Sequence, residues 1–314
     1  SPSYGSIWWF LVKTPPEALK EYFQRWFSKI PDSLRDQLLA IDGKKLREAN
    51  FMGNITHVVE LFAAEDRLCL AAEKVPNKMV EKSTLPTILK QVDVKGAIIS
   101  GDAHFTVTTA AEQIVDAKAD YLLAVKGNQP TLHDEMENFF DQAHLVEWDQ
   151  VPHLFHETID KDHGRIETRQ IRVVEDMDWL PDSCKWKNLV CLIEVKSTRQ
   201  KVDSTASEVM RRFYISSRKA SAKDFAKWIR QHWSIENNCH WIADVIFRED
   251  FSLTDRGNSA ENMGLFRRLA MNMAVVVDPD RGLASVRRAA AFGTGYLQGI
   301  LAIFFCQKLS KNFS

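Results

Sequence analysis

Three carboxylate residues stand at positions where a metal site could form. Asp42 follows the apolar run LLAI at residues 38–41, and Asp102 follows the stretch GAIISG at residues 96–101. Ligands of open α/β sheets bind beyond the carboxyl ends of the strands, because side chains converge there. Two aspartates placed in this way can hold a hard divalent cation. A single aspartate at such a position is more often a turn residue or a helix cap, so that interpretation stays open for each.

The third carboxylate is Glu236, in the segment IRQHWSIENNCHWIAD at residues 229–244. On a helix, four polar residues of this segment recur every four positions and share one face: His232, Glu236, His240 and Asp244. A carboxylate on that face would complete a three-carboxylate site for Mg²⁺, which accepts few protein ligands. Two such ions would activate a water or a 3′-hydroxyl and stabilise the leaving oxygen, as phosphodiester cleavage and strand transfer require.

Two other interpretations of this segment compete with the carboxylate site. The polar residues could form a solvated stripe beside a tryptophan core of Trp228, Trp233 and Trp241, since tryptophans are more often core than base-stacking platforms. Zinc could bind through His232 and His240. Eight residues separate those histidines, which places them about 12 Å apart along a helix. One ion cannot span that distance, so zinc is the weaker hypothesis.

A sheet must bring the first two carboxylates together. The pattern predicts strands at residues 38–46, 55–64, 68–72, 96–100 and 121–125, the last two short and wholly apolar as in buried central strands. Helices are predicted at residues 84–92 and 106–119, the second capped by Thr106. This order of elements predicts a mixed α/β sheet flanked by helices: three strands, a helix, a strand, a helix and a strand.

The remaining elements follow the same patterns. Residues 15–30 predict an amphipathic helix with proline at its start, and residues 130–142 another helix. A β-rich insertion is expected at roughly 143–217, with antiparallel strands in 156–175, 189–197 and 210–216. A long helix capped by Ser221 should run to about Ile246, followed by a helix at 260–277 and a helical tail from Leu283.

Bulk composition is that of a globular protein. The 314 residues are 45% hydrophobic and 26% charged, with a formal net charge of −1. Acidic residues outnumber basic ones before residue 150 and the reverse holds after it, which would suit metal at one place and phosphates at another. Five cysteines without a CxxC pair, and no signal peptide, favour a reducing cytoplasm. The apolar runs at 3–12 and 299–306 are too short to span a bilayer.

Several motifs together carry a resemblance to a known family: IDGKKLR (41–47), KGAIISGDA (95–103), DYLLAVKGNQ (120–129), HGRIETR (163–169), RFYISS (212–217) and IRQHWSIENNCHWIADVIFRED (229–250). From about Pro15 to about Asn272 the chain resembles the ISAs-type insertion-sequence transposases, grouped with the H-repeat-associated proteins in the DDE superfamily. The last motif is the most specific. The resemblance implies Asp42, Asp102 and Glu236 as the DDE triad, with Mg²⁺ as cofactor, Mn²⁺ as a substitute and two ions per site.

The same resemblance implies a ribonuclease-H-like fold with a β insertion before the helix that carries the catalytic glutamate. We therefore expect five segments: a helical N-terminal remnant (1–36), the first part of the core (37–142), the β-rich insertion (143–217), the second part of the core (218–282) and a tail (283–314). Relatives carry a further N-terminal DNA-binding segment, which we expect to be shortened here. The implied partners are double-stranded DNA, at element ends and target, and a second copy of the chain on that DNA, with no membrane.

Eight residues near the triad are candidate DNA contacts, each equally open to a structural role: Lys44, Arg47, Lys126, Asn128, Arg165, Arg230, His232 and Asn237. Basic side chains among them would bind the phosphate backbone without reading sequence. Two further functions stay open. A nuclease of the same fold would cut DNA without joining ends, and a truncated or co-opted relative would bind DNA or a protein partner without catalysis.

Overall fold

The computed structural model describes residues 2–27, 33–46, 56–162, 164–181, 185–201, 207–252, 254 and 256–310. Its strands are β1 (Leu38–Leu46), β2 (Thr56–Ala63), β3 (Leu68–Val75), β4 (Ile98–Gly101), β5 (Asp120–Val125), β6 (Leu154–Asp162), β7 (Arg165–Val174), β8 (Cys191–Lys201) and β9 (Ser207–Ser216). Its α-helices are α1 (Tyr4–Lys13), α2 (Pro16–Phe27), α3 (Leu85–Gln91), α4 (Thr108–Asp116), α5 (Pro130–Leu145), α6 (Ala222–His232), α7 (Ser259–Val277), α8 (Leu283–Phe292) and α9 (Thr294–Ser310).

These strands form a mixed sheet in the order β3-β2-β1-β4-β5-β9-β8-β7-β6. Strands β1, β4 and β5 are parallel neighbours, whereas β2 and β3 pair antiparallel. The predicted fold class, a mixed α/β sheet flanked by helices with a β-rich stretch before the glutamate segment, is confirmed. The β-rich stretch continues the central sheet, because β9 pairs antiparallel with β5.

Two compact units make up the chain. Unit 1 comprises Ser1–Ser33, Gly43–Val92 and Ser234–Ser314, and unit 2 comprises Leu34–Asp42 and Asp93–Trp233. The chain passes between them four times: before β1, within β1, after α3 and just after α6. Each unit is therefore built from segments that are distant in the sequence.

The core of unit 2 is built on short, largely apolar central strands. All four residues of β4 are buried, and Tyr121, Leu122 and Leu123 of β5 lie beside them. Parallel strands that are covered on both faces have nearly continuous apolar sequences. This pattern is why both strands could be predicted from the sequence. The extended hairpins of β6 to β9 pair along almost their full length.

Unit 1 buries apolar faces of its helices around α7. Met273 and Ala274 of α7 pack with Val286 of α8 and with Ile300 and Phe304 of α9.

Among the described residues, no helix combines the length and apolarity that crossing a membrane requires.

Two predicted helix boundaries differ from the structure. The helix expected from Thr106 begins at Thr108 without a side-chain cap. The Thr106 hydroxyl instead donates to the carbonyl oxygen of Ala124, so tertiary hydrogen bonding replaced the local cap. The long helix expected from Ser221 is correctly capped by that serine but ends as an α-helix at His232. It continues after Trp233 as two π-helical turns, Glu236–His240 and Ile242–Ile246.

Gly101 is packed so closely against neighbouring side chains that an added methyl group should destabilise the protein. A Cβ added there would lie 2.8 Å from Cβ of Phe105 and 3.3 Å from Cδ2 of Leu123. We expect Gly101→Ala to lower the free energy of unfolding by about 1–3 kcal/mol, the usual cost of overpacking a core. Urea unfolding measures this change.

Gly127→Ala is the matched control, because a Cβ at that exposed loop position meets nothing within 4 Å. Equal stabilities for the two variants would contradict the close packing of Gly101.

Candidate active site

Asp42 and Asp102 follow a matched pair of residues on adjacent parallel strands. The β1–β4 register pairs Leu38 with Ile98 and continues to Ile41 with Gly101. Asp42 is the residue after Ile41, and Asp102 is the residue after Gly101. Neighbouring strands lie about 4.8 Å apart, and the two aspartates follow the last register pair on adjacent strands. Asp42 lies inside β1, which runs on to Leu46, and Asp102 comes directly after β4. Both residues are partly exposed.

Asp102 also holds the turn that follows β4. It is the N-cap of a short 3₁₀ turn at Ala103–Phe105, and its Oδ1 accepts a hydrogen bond of 2.9 Å from the backbone N–H of His104. Asp102 therefore has the helix-cap role that the sequence left open, and one oxygen of its carboxylate forms the cap. This bond holds the Asp102 side chain in the orientation of an N-cap.

The loop after Asp102 is fastened from the end of β5. The side-chain amide of Asn128 donates to the carbonyl oxygens of Ala103 and Thr106, and that of Gln129 donates to Thr106 as well. Asn128, expected from the sequence as a DNA contact, thus has a structural partner in the loop beside Asp102.

His232 reaches the same edge from the last residue of α6. Its Nδ1 shares a 2.9 Å hydrogen bond with Oγ of Ser100, two residues before Asp102. Burial lowers the pKa of His232 to about 4, with Lys126 adding to the effect and Asp102 opposing it. The imidazole is therefore neutral at pH 7 and adds no positive charge beside the carboxylate.

Glu236 lies in unit 1, in the first turn of the π-helical segment that follows α6. Its side chain is exposed, as is that of its neighbour Asn237. Segments of π-helix are rare and are found frequently at functional sites, since the wider turn redirects side chains. The four-residue spacing of the polar stripe consequently does not place its members on one α-helical face.

The members of that stripe have different partners. His232 bonds Ser100, His240 places Nε2 3.0 Å from Oε2 of Glu60, and Asp244 pairs with Lys44. The expected tryptophan core is also wrong in part. Trp228 is buried, but Trp233 and Trp241 are 43% and 53% exposed.

The candidate DNA contacts divide by exposure. Lys126, Arg165, Arg230 and Asn237 are exposed. The Arg230 guanidinium also donates a 2.8 Å hydrogen bond to Asp160. Lys44 is only 6% exposed and pairs with Asp244 and Glu249, so it is committed inside the protein and does not face a phosphate. Arg47 lies outside the described residues.

Ser100 is the residue near this edge that sequence reasoning missed. It was read as part of an apolar strand. A hydroxyl two residues before Asp102, on the same side of a strand by alternation, was the available signal. Its partner could not be foreseen, because His232 is 132 positions away.

Two groups of side chains among the described residues have at least three potential metal-ligand atoms within 4.8 Å of one another. One, Glu60, Cys69 and Cys239, is buried. Glu60 of that group is already bound by Arg268. The other, His133, Asp134 and Glu137, is one turn of the solvated face of α5.

The comparisons with known proteins decide the family. Residues 35–273 match the model of the transposase DDE domain. The chain belongs to this transposase family. Members of the family act on DNA with divalent metal ions, and the resemblance found in the motifs is thereby confirmed.

Similar transposases occur in Escherichia coli. The chain is 35% identical over 294 residues to "Putative transposase YncI" of strain O157:H7, which covers 91% of the chain and 74% of that protein. It is 34% identical over 297 residues to "H repeat-associated putative transposase YhhI" of strain K12, covering 91% of the chain and 77% of that protein. An uncharacterised Xanthobacter autotrophicus protein is 35% identical over 223 residues, covering 70% of the chain and 73% of that protein.

The low pKa of His232 predicts a pH dependence of the transposase in metal-free buffer. An unfolded histidine takes up a proton near its ordinary pKa of 6.5, whereas the folded one does so only near 4. Between those values the unfolded state binds more protons, so stability falls as the pH falls, by at most about 1.4 kcal/mol per pH unit. His232→Gln should remove this part of the dependence.

Urea unfolding of both proteins between pH 4 and pH 7 in EDTA measures the difference. Nuclear magnetic resonance of the histidine ring gives a second test. A His232 ring that titrates near pH 6.5 would contradict the burial described here.

Proposed function

We propose that the chain is a DNA transposase that cleaves phosphodiester bonds at insertion-sequence ends and transfers those ends into target DNA, with Asp42, Asp102 and Glu236 as the catalytic triad. The observation that carries this proposal is the β1–β4 register, which sets Asp42 and Asp102 directly after the paired residues Ile41 and Gly101. Membership of the DDE transposase family supports the same assignment.

The donors at this edge fit a hard divalent cation. Carboxylate oxygens are the ligands that Mg²⁺ uses in proteins, and no sulfur ligand stands beside Asp42 or Asp102 in sequence. Bound ions would supply charge stabilisation at the attacking and leaving oxygens of the phosphodiester. Mn²⁺ can take the same ligands, and we propose two ions held by the three carboxylates.

Two features of the surrounding side chains are compatible with metal binding. Neutral His232 occupies the space beside Asp102 without a cation, and the hydrogen bond from His104 N–H holds the Asp102 side chain in one orientation. Lys44, the nearest lysine after Asp42 in the chain, is engaged by Asp244 and Glu249.

Exposed basic residues supply the DNA interface in this proposal. Lys126 follows β5 at the carboxyl edge of the sheet, Arg165 begins β7, and Arg230 lies near the end of α6. Such contacts bind phosphates and make affinity fall with salt, without reading base sequence. Asn237 and the exposed rings of Trp233 and Trp241 flank Glu236 and can contact nucleotides there. Joining two DNA ends favours a homodimer on DNA.

Cleavage of a labelled duplex carrying candidate element ends tests the proposal. We expect wild type with Mg²⁺ or Mn²⁺ to leave 3′-hydroxyl ends, and EDTA or Glu236→Gln to abolish the cuts, because the glutamine amide removes a charged ligand. Asn238→Gln is a matched amide control two positions away, and it should cut.

Joined products separate a transposase from a nuclease of the same fold. If wild type and Glu236→Gln bind the duplex equally and neither cuts it, the chain is a co-opted relative that binds without catalysis, and the proposed triad is wrong.

Metal binding should also raise the thermal stability of the protein. Grouped carboxylates repel one another until a cation joins them, so millimolar Mn²⁺ should raise the melting temperature of wild type through mass action. At a concentration about 100 times the dissociation constant, the gain is about 2.7 kcal/mol. Asp102→Asn should lose most of this rise. An equal rise in both proteins would place the metal elsewhere.

A further inference from the structure

Unit 1 contains a buried group of charged side chains that the proposed chemistry does not use. We call it the ion cluster: Lys44, Glu60, His240, Asp244, Glu249 and Arg268. Arg268, Glu60, Glu249 and Lys44 are each at most 6% exposed. They come from β1, β2, the segment after Ile246 and α7, so the cluster joins four separate parts of the unit.

Lys44 attaches strand β1 to the cluster. Its ammonium donates a 2.8 Å hydrogen bond to Oε2 of Glu249 and another to Asp244. Burial alone lowers the pKa of Lys44, but the attraction of Glu249 and the bond to Asp244 outweigh it and the net pKa is raised. The lysine stays charged, and the strand is fixed two residues after Asp42.

Arg268 is the centre of the cluster. Its Nε donates to Oε1 of Glu60 at 2.6 Å, and its two terminal nitrogens both donate to the Glu249 carboxylate. This forked pair is the geometry in which a buried guanidinium and carboxylate compensate each other's loss of water. Burial opposes the charge of Glu60, yet Arg268 and His240 keep the pKa of its carboxyl below the usual range.

His240 and Asp244 attach the π-helical segment to the same cluster. His240 Nε2 lies 3.0 Å from Oε2 of Glu60, and Asp244 pairs with Lys44. These residues stand four and eight positions after Glu236. The helix that begins with Glu236 is thus held to α7 by His240 through Glu60, and to β1 by Asp244 through Lys44.

We propose that the ion cluster is a positioning device for the active site: it fixes the backbone just after Asp42 and just after Glu236 against common partners on α7 and at Glu249. This inference rests on the proposed function, because it assigns Lys44 and Arg268 to the placement of the metal-binding carboxylates. Lys44 and Arg268 are positioning residues and touch neither metal nor DNA.

Energetics favour positioning over simple stabilisation. Burying charges costs several kcal/mol per ion, and apolar residues of similar volume often stabilise a protein as well as a buried ion pair. Ion pairs instead constrain the relative orientation of the groups they join, because their hydrogen bonds require a particular geometry. Supporting residues that orient metal ligands typically change metal affinity or activity by about 10- to 100-fold when mutated.

Lys44→Met tests the inference, with Lys20→Met as the matched control. Lys20 is a second buried lysine of unit 1 that bridges two carboxylates, Glu73 and Glu261. Both substitutions remove one ammonium from a pair of carboxylates, but Lys20 touches neither segment that carries the triad. Asp244→Asn is a milder variant, since Asp244 is 26% exposed and loses its charge at the rim of the cluster.

Four quantities are measured for each protein: melting temperature, DNA affinity in EDTA, Mn²⁺ binding by calorimetry, and the cleavage rate. We expect Lys44→Met and Asp244→Asn to weaken Mn²⁺ binding and slow cleavage by about 10- to 100-fold. Their DNA affinity should stay within twofold of wild type. Lys20→Met should lower the melting temperature but keep wild-type Mn²⁺ affinity and rate.

The outcomes separate the two claims. Wild-type Mn²⁺ binding that Glu236→Gln abolishes supports the proposed function independently of the cluster. If Asp244→Asn then binds Mn²⁺ and cuts like wild type, or if Lys20→Met loses as much as Lys44→Met at equal stability, the positioning role is overturned while the triad stands. If Lys44→Met does not fold, Asp244→Asn alone decides. A wild type that neither binds Mn²⁺ nor cuts overturns both.

Discussion

Parallel pairing of β1 with β4 is the constraint on which the candidate site depends. Because Ile41 is the register partner of Gly101, the next residue on each strand is an aspartate, and the two carboxylates share one edge. A shift of one residue would turn one of them to the opposite face of the sheet. Burial of all four β4 residues opposes such a shift, since it would move apolar side chains out of the core. Gly101, packed against Phe105 and Leu123, allows no bulkier residue beside Asp102.

Charge is distributed around this edge in a consistent way. Lys126, which follows β5, is exposed, and Lys44 pairs with Asp244 and Glu249 inside unit 1. The imidazole of His232 is kept neutral by burial. These features are compatible with the proposed divalent ion at Asp42 and Asp102 and with exposed basic side chains that attract DNA.

Sequence predicted the fold where local pattern decides it. The apolar runs of β4 and β5, the cap at Ser221 and the order of strands and helices are local or periodic features, and they were found. Thr106 was misassigned because its hydroxyl bonds a carbonyl on β5, and Lys44 because its partners lie about 200 positions away. Trp233 and Trp241 were expected in the core because tryptophan side chains are usually buried, but they are 43% and 53% exposed. The π-helical turns that follow Trp233 are not encoded by any simple period of the sequence. Asp102 directly follows β4 as expected, whereas Asp42 lies inside β1, and the register between the two strands needed the structure. Their role as metal ligands stays a prediction.

Diffraction from crystals grown with Mn²⁺ tests the central claim most directly, because the anomalous signal of manganese locates the ion without any assumption about activity. The triad predicts anomalous density at the carboxylates of Asp42, Asp102 and Glu236, with metal–oxygen distances of about 2.0–2.2 Å. Manganese bound only at Glu60, Cys69 and Cys239, or only at His133, Asp134 and Glu137, would contradict it and would show that the two strand-end aspartates do not form the metal centre.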